Sequence, residues 1–340
     1  MKTLHYFYRH PHAIYFSVEK IFRNISEKIR QTEGGQFRVK EIFLPFTSKL
    51  STVLKNIRYA SRSQGDINHV TGDVHYAVLG CSKKNINIVT IHDCVRLLHY
   101  KRHDPRHWII RMLWYYLPVR RATAVTVISE NTRKDLIRFT GCRESKIRVI
   151  PDFVDPSFQK TDHVFDRETP VILFIGSAPN KNLERLTAAL GGLKIYLEII
   201  GFPGSEQKAM LAAAGISYKI YNGLSQEQMI ERYRDADIVA FPSTYEGFGL
   251  PILEAQAIGR PVLTSNLSPM KEVAGLGACL VDPYDVQAIR KGLLLIINDP
   301  DYRSQLIAEG FANVEKYQLD KVTSQYTELY RELMKKESYN

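Results

Sequence analysis

Two carboxylates, Glu246 and Glu254, bracket the stretch Gly-Phe-Gly-Leu-Pro-Ile-Leu. Pro251 suits the first turn of a helix, where a missing N–H costs nothing, so Glu254 is expected within that turn and Glu246 on the loop before it. Gly247 and Gly249 permit unusual backbone angles and close approach, which would leave the amides of Gly247, Phe248, Gly249 and Leu250 open to an anionic or hydroxyl-rich ligand. A carboxylate can accept two hydroxyl donors at once, so two of them facing one cleft would suit vicinal diols. Taken alone, the same stretch reads equally as a surface turn leading into a helix.

Three other constellations could do chemistry. Ser177-Ala178-Pro179-Asn180-Lys181-Asn182 follows the apolar run VILFIG and opens a helical segment, so a lysine and backbone N–H groups gather where a phosphate could be held; the alternative is a plain turn with a solvated lysine. His92-Asp93 follows the strand-like run INIVT, where a histidine could donate to a hydroxyl or stabilise developing charge, or the pair could merely brace its loop. Asp235-Ala236-Asp237 has a spacing that could hold a divalent metal, but it lies at the start of the run DIVAFPS rather than at its end. No metal role is expected for it.

The elements that must position these residues are legible as a rhythm. The second half alternates VILFIG, IYLEIIG, YKIY, DIVAFPS and RPVLTSN with longer amphipathic segments, the pattern of a parallel sheet built by right-handed crossovers. The first half repeats it with LHYFYR, FRVKEIFL, DINHV, INIVTI, ATAVTVI and IRVIP. The fold class is therefore α/β, with two doubly wound domains. Residues 151–170 are rich in proline and charge and lack either period, which marks a linker. Amphipathic helices are expected near 285–297, 300–315 and 318–336. In such sheets ligands sit beyond the carboxyl ends of the strands, where Lys181, Glu246 and His92 all fall.

With 340 residues, of which 44% are hydrophobic, the chain can build two ordinary cores. Cys81, Cys94, Cys142 and Cys279 show no metal-ligand spacing and suit reduced thiols in a cytoplasmic setting. The amino terminus lacks the apolar run of a secretory signal, and no stretch approaches the roughly 18 apolar residues of a membrane span. Charge is polarised: residues 1–160 hold 28 Lys+Arg against 13 Asp+Glu and residues 161–340 hold 18 against 23, so the halves carry +15 and −5. The first half is expected to meet something anionic. Residues 96–121 hold seven of those cations, one acid and both tryptophans. Ile109, Ile110, Leu113, Tyr116 and Leu117 fall near one helical face, which suits either a helix at a membrane interface or an ordinary buried helix with a solvated rim. No nucleic-acid recognition motif accompanies the charge.

Glu-x7-Glu, preceded by FPSTY and followed by EAQAIGRPVLTSN, resembles the signature of the retaining nucleotide-sugar glycosyltransferases of the GT-B fold, family 4 or group 1 type. The likeness extends over about residues 170–283 and, through TIHDCVRL, VTVISENTRKDL and VIPDFVDPSF, over 66–158. It implies two facing Rossmann-like domains with a cleft between them: 1–155 for the acceptor, 156–317 for the nucleotide sugar, and a helix at 318–340 packing back toward the first domain. It implies that Glu254 binds ribose hydroxyls, that Glu246 and His92 lie at the donor sugar, and that Ser177, Lys181 and the amides of Gly247 to Leu250 hold the sugar and diphosphate. Asn180 stands where many members carry arginine, and Arg9-His10-Pro11-His12 where many carry a glycine-rich loop.

The resemblance implies a hexosyltransferase acting with retention and without metal or cofactor, the nucleoside-diphosphate sugar being a substrate. The expected acceptor is a lipid-linked or growing saccharide of a cell-envelope polysaccharide, met at the inner face of the membrane through residues 96–121. The competing expectation is a non-catalytic binder of anionic lipid or saccharide on the same fold. An oxidoreductase would need a glycine fingerprint after a strand, and none is present.

Overall fold

In the computed structural model, residues 1–11, 17–99 and 103–337 are described; His12 and residues 100–102 of the 96–121 segment fall outside them. The chain divides into two compact units, Met1–Phe153 with Leu319–Asn340, and Val154–Gln318. Each is built on a parallel six-stranded sheet.

The first sheet comprises β1 (Lys2–Tyr8), β2 (Phe37–Phe43), β3 (Ile67–Val70), β4 (Ile86–Ile91), β5 (Ala124–Val127) and β6 (Ile147–Val149) in the order β2-β1-β3-β4-β5-β6. The central strands β3, β4 and β5 are buried at every residue, which is why their sequences are mostly apolar and β-branched rather than alternating, the buried Asn68, His69 and Asn87 being held by hydrogen bonds. The terminal helix Leu319–Glu337 docks on this unit through a polar chain in its interior. Tyr330 Oη lies 2.8 Å from Tyr6 Oη and 2.7 Å from His69 Nδ1, while His69 Nε2 lies 2.7 Å from Thr90 Oγ1. Arg331 adds an ion pair to Glu33 and Arg148 one to Glu332.

The second sheet comprises β7 (Val171–Ile175), β8 (Tyr196–Ile200), β9 (Ser217–Tyr221), β10 (Ile238–Phe241), β11 (Val262–Ser265) and β12 (Cys279–Val281) in the order β12-β11-β10-β7-β8-β9. Read from β9, this is the 3-2-1-4-5-6 order of a dinucleotide-binding sheet, and the order reverses between β7 and β10, paired through Ile172 and Ile238. β12 is an addition to the strands expected from sequence, a short strand at the edge of the sheet. The helices Val286–Asn298 and Pro300–Val314 match the expected segments closely.

The 96–121 segment differs from expectation. It forms the helices Val95–His99 and Pro105–Ile110, a π-helical stretch Arg111–Tyr116, and the helix Leu117–Arg121. The wider π turns rotate the side chains away from a regular helical face. Ile110 is buried and Leu113 packs on the core, with Trp114, Tyr115 and Val119 in the same cluster. Trp108, Ile109, Met112 and Leu117 remain exposed.

Candidate active site

The strand-end loops at the switch point of the second sheet bring the predicted residues together. β7 ends at Ile175 and the chain turns through Gly176 at a φ of 97°. A Cβ at Gly176 would lie 2.8 Å from Lys181 Cγ, so glycine is what lets the lysine stem lie across the turn. Pro179–Lys181 form a single 3-10 turn, Asn182 takes a left-handed conformation, and the helix Leu183–Leu190 begins only after it. The buried Asn182 side chain donates to the carbonyls of Pro242 and Pro283, tying this turn to the loop after β10. Thr244 N donates to Asn180 O at 2.8 Å, and Asn180 Nδ2 returns a bond to Tyr245 O at 2.8 Å.

This lacing delivers Lys181 Nζ to Glu246 Oε1 at 2.7 Å, with the ammonium 4.8 Å from the centroid of the Phe241 ring. The pair is mostly enclosed, with side-chain exposures of 20% and 13%. The expectation placed Lys181 against phosphate and Glu246 against sugar. In the structure the two satisfy each other.

Beyond Glu246, the unusual backbone angle falls on Gly249, at a φ of 119°, and not on Gly247. The Phe248 ring is buried edge-on to Tyr317, so only its backbone is available to a ligand. Leu250 opens the helix Leu250–Ile258 with Pro251 in its first turn. Glu254 is the fifth residue, so it stands at the start of the second turn rather than within the first. Its Oε2 accepts a short hydrogen bond from Tyr233 Oη, and the Tyr233 ring packs edge-on against Phe158 at 5.3 Å. Tyr233 was not singled out from sequence, since no spacing ties a tyrosine on the helix Gln226–Asp235 to a glutamate two elements later.

Ser177 follows Gly176, but its hydroxyl accepts from Phe202 N at 3.0 Å and its carbonyl accepts from Gln207 Nε2. In this structure the side chain braces the loop after β8. Asp237 lies at the start of β10, at the opposite end of the strand from Glu246. Its carboxylate accepts from His163 Nε2 and from the amides of Asp166 and Val171, while Asp235 pairs with Arg232.

In the first unit, His92 follows the last residue of β4, as expected. Its carbonyl accepts from Thr132 Oγ1, its ring stands edge-on to Phe22, and its buried Nε2 has no hydrogen-bond partner among the described residues. Burial, with the charges of His75 and Arg9, lowers its pKa to about 3, so the imidazole is neutral. Asp93 accepts from Val95 N at 2.9 Å and thereby braces the following turn. Arg9, at the end of β1, pairs with Glu19 at 2.5 Å.

Two parallel six-stranded sheets of these orders define a GT-B protein. Sucrose-phosphate synthase from Thermosynechococcus elongatus superimposes with a TM-score of 0.80 at 18% identity, over 98% of this chain and 99% of that one. Anabaena HepE, solved in complex with UDP and glucose, gives 0.76 at 16% identity, over 98% and 100%. Residues 156–312 match the family described as glycosyl transferases group 1, and residues 16–158 match glycosyltransferase family 4. The chain belongs to the group 1 glycosyltransferases.

Among curated relatives, the serotype-specific mannosyltransferase WbdA of Escherichia coli is 27% identical over 258 residues, covering 68% of this chain and 31% of that protein. The O-antigen chain mannosyltransferase B of the same organism is 33% identical over 173 residues, covering 47% and 45%. The chain thus matches between about a third and about a half of the length of these relatives.

Proposed function

We propose that the protein transfers a hexosyl group from a nucleoside-diphosphate sugar to a hydroxyl of a lipid-linked or saccharide acceptor during synthesis of a cell-envelope polysaccharide, with retention and without a bound metal. The observation that carries this reading is the Lys181–Glu246 pair at the switch point between β7 and β10. A lysine and a carboxylate at hydrogen-bond distance offer one group for a diphosphate and one for sugar hydroxyls within a single donor's reach. The relatives named as mannosyltransferases make an activated mannose the first donor to test.

In the proposed reaction the bond between the anomeric carbon and the donor's phosphate oxygen breaks while the acceptor oxygen bonds to that carbon on the same face. The acceptor's proton passes to the departing phosphate. Lys181 offsets the charge that develops there, an electrostatic contribution typically worth about 10²–10³ in rate when one such group is removed. Glu246 orients the sugar, and Glu254, held by Tyr233, takes ribose hydroxyls. Ser177 contributes through its backbone, with the amides of Gly247 to Leu250. Neutral His92, its Nε2 unpartnered, bonds a hydroxyl of the substrate.

Work at the cytoplasmic face of a membrane is part of the proposal. Trp108, Ile109, Met112 and Leu117 stand exposed near Arg106, Arg111 and Arg120, and no described helix is long and apolar enough to cross a bilayer. A second strip in the same unit was not anticipated: on the helix Leu50–Arg62, Leu50 and the 78%-exposed Leu54 lie beside Lys55 and Arg58.

The test is transfer by the purified chain from GDP-mannose, UDP-glucose or ADP-glucose to membrane lipid extracts in the presence of EDTA. One donor is expected to be consumed, with a loss of about a hundredfold or more in Lys181→Ala. If none is consumed although the protein sediments with anionic vesicles, the non-catalytic binder replaces this proposal.

A further inference from the structure

A pocket of about 300 Å³ lies at the opposite end of the second sheet from Lys181 and Glu246, beside the residues that lead into β10 and β11. Three cations line it: Lys160, Arg260 and Arg303. Among the described residues none of the three makes an ion pair with a carboxylate. Arg260 is 2% exposed, and its terminal nitrogens donate to neutral acceptors, the carbonyls of Thr161, Ile258, Gly259 and Arg234 and the Thr161 hydroxyl. Its buried Nε has no partner. Asp162 and Asp237 also line the pocket, and Asp237 and Asp235 lie close enough to favour the Arg260 charge, but the Asp237 carboxylate is occupied by His163 and two backbone amides and Asp235 pairs with Arg232.

A desolvated guanidinium that lacks a paired anion is costly to bury, and the cost falls when an anion sits beside it. The other two cations are held in place by stacking. The Arg303 guanidinium lies 4.0 Å from the centroid of Phe165, and Lys160 Nζ lies 5.2 Å from that of Phe311. These rings and Ile307 give the pocket apolar surface beside its charge, and its volume exceeds what an inorganic oxyanion alone would fill.

We propose that this pocket is a second ligand site, taking a small phosphomonoester whose oxyanion meets Arg303 and Lys160, with the buried charge of Arg260 behind them, and whose carbon body packs on the apolar surface beside them. Guanidinium groups suit phosphate because their planar donors match its oxygens. The site is separate from the proposed donor site and does not depend on it.

The probes are phenyl phosphate, inorganic phosphate and phenol, titrated calorimetrically into the full chain at constant ionic strength. Phenyl phosphate is expected to bind with one-to-one stoichiometry, at least tenfold more tightly than either inorganic phosphate or phenol. Lys160→Gln should weaken it about threefold, and the double variant Lys160→Gln/Arg303→Gln at least tenfold. Arg303 also caps the helix Val286–Asn298 through the carbonyls of Ile296 and Ile297, so the exposed Lys160 substitution keeps the test decisive if the double variant folds poorly. Lys181→Ala should leave phenyl phosphate binding unchanged. Affinity that is unaltered in Lys160→Gln, lost in Lys181→Ala, or matched by phenol would overturn the proposal.

Discussion

Gly176→Ala tests how the turn after β7 sets the lysine. Two costs follow from the geometry. At a φ of 97°, alanine carries a left-handed backbone penalty of about 1–2 kcal/mol. The new Cβ would also lie 2.8 Å from Lys181 Cγ, 3.1 Å from Cδ and 2.9 Å from Cε, so the whole stem must swing, taking Nζ from Glu246 and from the Phe241 face. The pair is more enclosed than a surface bridge and less than a buried one, so its loss adds about 1–2 kcal/mol. The total of about 2–4 kcal/mol corresponds to a fall in Tm of roughly 4–16 °C for a unit of this size. A charge-assisted bond to phosphate is worth about 1.5–3 kcal/mol, so donor affinity should fall about 10- to 150-fold. Gly192→Ala is the control: it has a φ of 74° with nothing near its Cβ, so it should show the backbone penalty and no change in donor affinity. Calorimetric unfolding and donor titration read both quantities. If Gly176→Ala loses stability but binds donor like Gly192→Ala, Lys181 is not positioned by this turn for the ligand.

The remaining predictions concern buried groups. Tyr233→Phe keeps the ring against Phe158 but removes the donor to Glu254, so donor KM should rise about three- to tenfold with stability lowered by about 1 kcal/mol; an unchanged KM would remove Glu254 from the donor site. Burial lowers the pKa of His69 to about 3 and of His75 to about 4, as it does for His92. The unfolded chain binds protons at these residues below about 6.5 while the folded chain does not, so the urea midpoint should fall between pH 7 and pH 5. Asp152 acts in the opposite sense: burial raises its pKa to about 7, so stability from this group is lost as pH rises from its unfolded value of 3.8 through about 7. Asp152→Asn should therefore stabilise the protein at pH 8, with the gain vanishing near pH 4, as followed by urea unfolding.

What the sequence made legible is what depends on local pattern. Central strands buried on both faces read as largely apolar runs and the alternation with amphipathic segments marked the rest, so eleven of the strands could be anticipated, and position after β7 and β10 was enough to nominate Lys181 and Glu246. β12 escaped because it is a short edge strand in which exposed Leu280 interrupts buried Cys279 and Val281. The residues grouped on one face of 96–121 divide between core and surface, Ile110 buried and Ile109 and Leu117 exposed, and nothing local announces the π turns at Arg111–Tyr116. Long-range pairings were equally silent: Tyr233 reaches Glu254, and Asn182 reaches Pro283, only after crossovers bring distant elements together. Gly176 appeared as the end of a strand, and its role emerges only from the lysine stem lying on it.

The central claim is that Lys181 and Glu246 form the grip for a nucleoside-diphosphate sugar. Isothermal titration of the donor that supports transfer, compared across the unaltered protein, Lys181→Ala and Glu246→Gln, tests it most directly. The expected result is a one-to-one complex weakened at least tenfold in each variant, with the free nucleoside diphosphate weakened by Lys181→Ala but little affected by Glu246→Gln. Equal dissociation constants for the sugar donor in all three proteins would contradict the claim.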